Sequence, residues 1–216
     1  MNKKNTKKTL ITCATQVFFE NGFEKASMRQ IVEMAGVTKP TLYYYFKNKT
    51  ELYRYILDTH IQKVDDRIEH LIRDYEDYQD ALRRLIEFFA DTFENEYQEY
   101  TITQREINGR GVFYAYVRDH YFVNLFKDLA SFLRVGIEKN IIRPTLDPVH
   151  SAYSMVATIM FYYNQSVLIN DVLTINNSPK WTKEDLINHI YKLYTVSEKT
   201  TWSCLIQKFQ NQGIKC

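Results

Sequence analysis

The sequence predicts an all-α protein: a three-helix head containing a helix-turn-helix, then a larger helical bundle. Three observations carry this. Only 6 Gly and 4 Pro occur in 216 residues, too few turn residues for a β-rich or loop-rich chain. Apolar residues make up 45% of the chain and return at spacings of three and four, the period of a helix with one buried face. Helix-capping residues stand just ahead of several of these runs, at Ser27, Thr38, Asn48, Asp147 and Thr182. The length suits one large domain or two modest ones.

In chain order, Lys3 to Phe19 reads as the first helix, with Leu10, Ile11, Ala14, Val17 and Phe18 on one stripe. Asn21-Gly22 is its stop, because glycine tolerates the left-handed conformation of a helix C-terminus. Ser27 and Gln30 form a capping box that opens a short helix ending near Ala35, and Gly36-Val37 supplies the turn. Thr38 caps a second short helix whose first turn holds Pro40, where a missing N–H costs nothing. Asn48 and Glu51 open a long fourth helix through Leu52, Ile56, Val64, Ile68 and Leu71. Further helices are expected over 78–97, 100–108, 112–140, 147–172 and 182–210, with Gly109-Arg110-Gly111 and Asn176-Asn177-Ser178-Pro179 as breaks. A head over residues 1–50 and a body over 51–216 follow from this pattern.

Charge separates the two parts. Residues 1–63 hold 11 Lys/Arg against 5 Asp/Glu, whereas the remainder is acidic. A basic head on an acidic body points to a polyanionic partner for the head alone. Cys13, Cys204 and Cys216 are too few and too far apart for a disulfide framework or a zinc site. His60, His70, His120, His150 and His189 show no i, i+4 metal spacing. There is no Gly-rich phosphate loop and no nucleophile elbow, so neither an enzyme nor a cofactor is expected. No secretory leader is apparent, and a cytoplasmic, reducing location is expected. The 20 uncharged residues Ser151–Asn170 are long enough to cross a bilayer but too polar for lipid. They read instead as a buried helix at a subunit interface.

Two short helices joined by a glycine turn can place the second in the DNA major groove. Thr38, Lys39, Pro40 and Thr41 lie at the start of that helix. Thr41 offers a hydroxyl or a methyl to a base, and Lys39 can donate to guanine. Tyr43, Tyr44, Lys47 and Lys49 lie just beyond and suit phosphates, and the N-terminus of the fourth helix offers backbone N–H groups. Ile31, Ala35, Val37, Leu42 and Phe46 are the expected small core.

Residues 9–57, above all the run Gly36-Val37-Thr38-Lys39-Pro40-Thr41-Leu42-Tyr43-Tyr44-Tyr45-Phe46-Lys47-Asn48-Lys49 with Phe18 to Phe23 before it, resemble the TetR family of bacterial regulators. The resemblance implies a three-helix DNA-binding head on an all-α body. It also implies a homodimer joined through the last two long helices and a small-molecule pocket in each body. Carried over by position, Arg29, Lys39, Pro40 and Thr41 would meet bases. Ser27, Tyr43, Tyr44, Lys47 and Lys49 would lie at or near phosphates, with Tyr45 packing. The implied function is a repressor on a near-palindromic operator, released or modulated by an effector.

Nothing in the body names a ligand. Its many aromatic residues suit an apolar or aromatic effector, and Tyr97, Phe113, Tyr116, Phe122, Phe126 and Tyr162 are the candidate lining residues. Glu87, Glu94 and Glu106 could face a cationic ligand or simply belong to solvated helix faces. The alternative reading is a helical small-molecule-binding or partner-recruiting protein without specific operator binding.

Overall fold

The computed structural model describes residues 3–109 and 111–196, and all its regular elements are helices. They gather into two compact units. One contains residues up to Asp74 together with Asp91–Leu125; the other contains Tyr75–Ala90 and the described residues from Phe126 onward.

The first unit begins with α1, Lys3–Lys25, interrupted at Gly22, whose φ of 71° is left-handed. The glycine breaks the helix as expected, yet a further helical turn follows it before Ser27. The capping box opens α2, Met28–Ala35: Ser27 N–H donates to Gln30 Oε1 at 2.8 Å, and Gln30 N–H returns to Ser27 Oγ at 3.3 Å. Gly36 ends it at φ 63°, a value that would strain any side chain. Then come α3, Lys39–Tyr45, capped by Thr38, and α4, Lys49–Arg73, capped by Asn48 through a 2.8 Å bond from Glu51 N–H. Leu10, Ala14, Val17 and Phe18 of α1 pack in the core with Ile31, Leu42, Phe46, Leu52 and Ile56; Ala35 and Val37 are only half-buried.

Helix α5 spans Tyr78–Asn95, divided between the units, and α6 spans Tyr97–Asn108. Helix α6 ties the first unit together through two adjacent residues. Arg105 donates to the carbonyls of Phe18 (3.2 Å) and Phe19 of α1. Glu106 is buried, accepting the Tyr53 hydroxyl of α4 at 2.7 Å and the Phe113 N–H at 2.8 Å. Burial and this carboxylate push the Tyr53 phenol upward. Glu106 is therefore a satisfied core group rather than part of a solvated helix face. A Cβ on Gly111 would run into its carboxylate.

A second polar cluster forms where α6 begins, between half-buried Glu96 and buried His60 of α4. Glu96 accepts from Lys63 at 2.6 Å and lies 3.5 Å from Nδ1 of buried His60. His60 first, then Lys63, hold the Glu96 carboxyl down at about 2 from an ordinary 4.5, against a partial desolvation that acts the other way. A depressed carboxyl stabilises the fold above its unfolded pKa and loses that contribution as pH falls through its folded value. Acid unfolding should therefore show a component between about pH 4.5 and 2. Glu96→Gln should flatten the stability curve over that interval in urea titrations; an unchanged slope counts against the pairing.

Residues 112–140, expected as one helix, are divided. Helix α7, Tyr114–Val117, runs through a π-helical turn, Arg118–Phe122, into α8, Val123–Glu138. The extra residue in that turn re-phases the side chains that follow.

In the second unit, Tyr78 of α5 stacks on Phe132 of α8 at 4.5 Å and donates to its carbonyl at 3.0 Å. Helix α9, Pro148–Asn164, starts as expected, with Asp147 accepting from His150 N–H at 2.8 Å. The expected single helix 147–172 breaks at Gln165, whose φ is −112°, between the weaker helix formers Asn164 and Ser166, and resumes as α10, Ser166–Ile175. Ser151, Ala152, Met155, Val156 and Ile159 of α9 are buried, whereas α10 buries no residue. Helix α11, Lys183–Tyr194, is held to α5 by Arg83, which bonds Asn188 at 2.9 Å and Glu184, and to α9 by a 2.7 Å bond between Ser154 and Tyr194 hydroxyls. The rest of the expected 182–210 helix, with Cys204 and Cys216, lies outside the described residues. Among the described residues no helix is long and apolar enough to cross a membrane.

Candidate nucleic-acid interface

The candidate surface is built by α2, the Gly36 turn and α3. Leu42 is fully buried and turns α3 inward. At 100° per residue, this places Pro40 and Tyr44 on the opposite side, with Lys39 and Tyr43 flanking them. All four are exposed, Tyr44 at 70%. Such an exposed aromatic gains little from the core and presents part of its ring to solvent. Thr38 does two jobs: its hydroxyl caps α3 and lies 2.9 Å from the hydroxyl of half-buried Thr41. Tyr45 is half-buried with its ring edge-on to Tyr44 at 5.0 Å, consistent with packing.

On α2, Ser27 is exposed but engaged in its cap. Arg29 points to solvent and is paired with Glu33 at 2.7 Å; both side chains are more than half exposed. A pair of that kind is worth little and opens easily for a stronger anion.

The two lysines beyond α3 differ. Lys47 is exposed, and its backbone N–H bonds the Glu51 carboxylate at 2.7 Å. Lys49 is half-buried, and its ammonium donates to the carbonyls of Phe23 (2.7 Å), Glu24 (3.1 Å) and Ala26 (3.1 Å). It also sits 4.5 Å over the Phe23 ring. All three ammonium protons are thus directed at the carbonyl end of α1. Sequence spacing could not separate these neighbours, because it shows charge and not where the stem turns. One basic residue outside the expected set lies against the junction of α3 and α4: Lys7 of α1 places its ammonium 4.3 Å over Tyr55 and 5.8 Å over Phe46. The excess of Lys near the N-terminus was its only signal in sequence.

The six residues expected to line a ligand site divide between the two units, four in the first and two in the second. In the first unit, Phe113 is buried against Phe23 and Tyr53, with centroids at 5.2 and 5.1 Å. Tyr97 is exposed, edge-on to Phe19. Tyr116 bonds Asp58 and lies under the Arg54 guanidinium at 4.5 Å. Phe122 is half-buried beside Tyr121 at 4.8 Å. In the second unit, Phe126 stacks on Tyr153 at 4.1 Å, and Tyr162 donates to the Trp181 carbonyl at 3.0 Å.

Comparison with known proteins matches this architecture. A family model described as bacterial regulatory proteins, tetR family, matches residues 10–56, which hold most of α1, α2, α3 and the start of α4. The transcriptional activator FasR of Mycolicibacterium smegmatis is 34% identical over 93 residues, 43% of this chain and 42% of FasR, so this match spans less than half of that relative's length. The transcriptional repressor NicS of Pseudomonas putida is 26% identical over 195 residues, 87% of this chain and 90% of NicS. A solved gamma-butyrolactone receptor shares the fold with a TM-score of 0.65 at 20% identity, over 89% of this chain and 99% of that one. The helix-turn-helix with its outward-facing α3 thus lies within the segment that is similar to the tetR family of bacterial regulatory proteins, and the described residues share their all-helical fold with a solved receptor.

Proposed function

We propose that this chain is a cytoplasmic, sequence-specific repressor that binds a near-palindromic operator as a homodimer and is modulated by a small apolar or aromatic effector. The reading assigns residues 1–50 to DNA and 51–216 to ligand binding and dimerisation. The observation that carries it is α3: Leu42 and Phe46 anchor it from within, leaving Lys39, Pro40, Tyr43 and Tyr44 outward. Lys39, Pro40, Thr41 and Arg29 would meet base edges; Ser27, Thr38, Tyr43, Tyr44 and Lys47 would position the head on phosphates. In a dimer, the two α3 helices would enter successive major grooves about 34–36 Å apart. An effector that prefers a different head spacing would shift the population away from DNA. The named repressor relative NicS and the gamma-butyrolactone receptor support the repressor and effector parts of this reading. Tyr97, Phe113, Tyr116, Phe122, Phe126 and Tyr162 remain the proposed effector contacts.

The test is a titration of the DNA upstream of the protein's own gene, against random DNA, at two salt concentrations. Tight, salt-dependent binding to the upstream DNA alone is expected; equal or absent binding to both would favour a binding protein without an operator. Lys47→Ala should weaken binding to every sequence and lower the slope of log affinity against log salt by about one. Thr41→Val, which keeps the shape and removes the hydroxyl, should change the operator preference more than the affinity for random DNA. Recovery of the wild-type consensus in a selection from random sequences would remove Thr41 from the base-reading set.

A further inference from the structure

We propose that Lys7 is a positioning residue for operator recognition: its ammonium, seated on the rings of Tyr55 and Phe46, holds the end of α3 against α4. The inference rests on the DNA-binding role proposed above and adds to it a residue that reads no base and holds no phosphate. Helix α3 has only seven residues, too few to be stable in water by its own hydrogen bonds. Its direction is therefore set by what it packs on. Phe46 closes α3, with its N–H bonded to the Leu42 carbonyl at 3.0 Å. The Phe46 ring is buried and meets the half-buried Tyr55 ring of α4 edge-on, with centroids 5.3 Å apart. This ring pair is a side-chain joint between α3 and α4.

Lys7 reaches that joint from α1. Its ammonium stands 4.3 Å from the Tyr55 centroid and 5.8 Å from that of Phe46, both within the range at which a ring face attracts a cation. The side chain is half-buried, and among the described residues no carboxylate or carbonyl pairs with the ammonium. Its neighbour Lys8 is exposed, the ordinary state of a lysine that serves as surface charge. Confining a long side chain costs rotamer entropy, and at Lys7 the two rings offset it. The charge joins three elements at one point: α1 through its own stem, α4 through Tyr55 and α3 through Phe46. Lys39, Pro40, Tyr43 and Tyr44 lie outward on the helix held in this way, so a loosened joint tilts all of them together. Hydrogen bonds to base edges weaken steeply with misalignment, whereas attraction to phosphates acts over a longer range. Loss of the Lys7 charge should therefore fall on the operator rather than on DNA in general.

The experiment is a double-variant cycle of Lys7→Met and Tyr55→Leu in the full chain, titrated with the upstream DNA and with random DNA. Lys7→Met keeps the stem and removes the charge. It should weaken binding to the upstream DNA about tenfold and binding to random DNA far less. Lys7→Arg should restore the wild-type preference, because a guanidinium stacks on the same rings. Tyr55→Leu keeps the charge and removes the ring, so it should reproduce the loss, with Lys7→Met adding little on top of it. A loss from Lys7→Met that persists undiminished in the Tyr55→Leu background overturns the proposal, because the lysine then acts without the ring, on a phosphate. Equal weakening of both DNAs overturns it as well, as does a Lys7→Met variant that binds the upstream DNA as tightly as wild type. Proton NMR of protein carrying isotope-labelled lysine supplies a readout that needs no DNA. The Lys7 ε-methylene signal should be shifted upfield by the ring current in the wild type and return to the ordinary lysine position in Tyr55→Leu. An unshifted signal in the wild type overturns the seat itself. A shifted signal in a wild type that shows no preference for the upstream DNA overturns the operator reading, and the positioning role with it, while the seat stands.

Discussion

Lys49→Met is expected to destabilise the first unit by about 2 kcal/mol while leaving the salt dependence of DNA binding unchanged. The methionine keeps the apolar stem but removes three donors. The carbonyls of Phe23, Glu24 and Ala26, which share one ammonium at 2.7–3.1 Å, would then lose a charged partner at the end of α1. The contact with the Phe23 ring would change in character as well. A fall of several degrees in the thermal midpoint is the readout for stability. The salt slope is the decisive control: a drop of about one would mean that Lys49 neutralises a phosphate, as position alone had implied. Lys47→Ala supplies the opposite pattern, with the slope lowered and the midpoint held, because that side chain is exposed.

The larger loss is expected at Glu106. Glu106→Ala leaves the Tyr53 hydroxyl and the Phe113 N–H without their acceptor inside a core, and opens a space where the carboxylate stood. Each stranded buried donor costs about 1–3 kcal/mol, offset in part because a buried charge is also removed. A net loss of roughly 3 kcal/mol is expected in chemical denaturation. Tyr53→Phe removes one of the stranded donors. The double variant should therefore be less unstable than the two single losses added together, with a coupling of about 1 kcal/mol or more. Strict additivity would show that the short Tyr53–Glu106 bond contributes nothing. Gly111 gives a related check, since Gly111→Ala drives a methyl into the same carboxylate.

Local chemistry explains why the head was readable and the body was not. Ser27 with Gln30, Gly36 and Thr38 with Pro40 each act within four residues, so their effect is written in adjacent letters. The long-helix pattern of the body was also visible, but two interruptions were not. The π turn at Arg118–Phe122 has no composition signal, and the break at Gln165 lies inside an apolar-rich run that reads as continuous. Aromatic abundance likewise does not reveal which partner each ring takes. Phe113 is taken up by packing against Phe23 and Tyr53, Tyr116 by Asp58 and Arg54, and Phe126 by Tyr153.

The all-α class, the positions of the capped helices in the head, and the outward character of Lys39, Pro40, Tyr43 and Tyr44 are legible in the amino-acid order. Those properties follow from backbone capping and a helical period that operate over a few residues. The surroundings of Lys49, Glu106 and His60 become visible only once the chain is folded. Each is a charged or ionisable side chain whose role depends on groups 23 to 53 residues away in the chain. The same charge that would favour a phosphate in water is, at Lys49, satisfied by three carbonyls that folding brings to it.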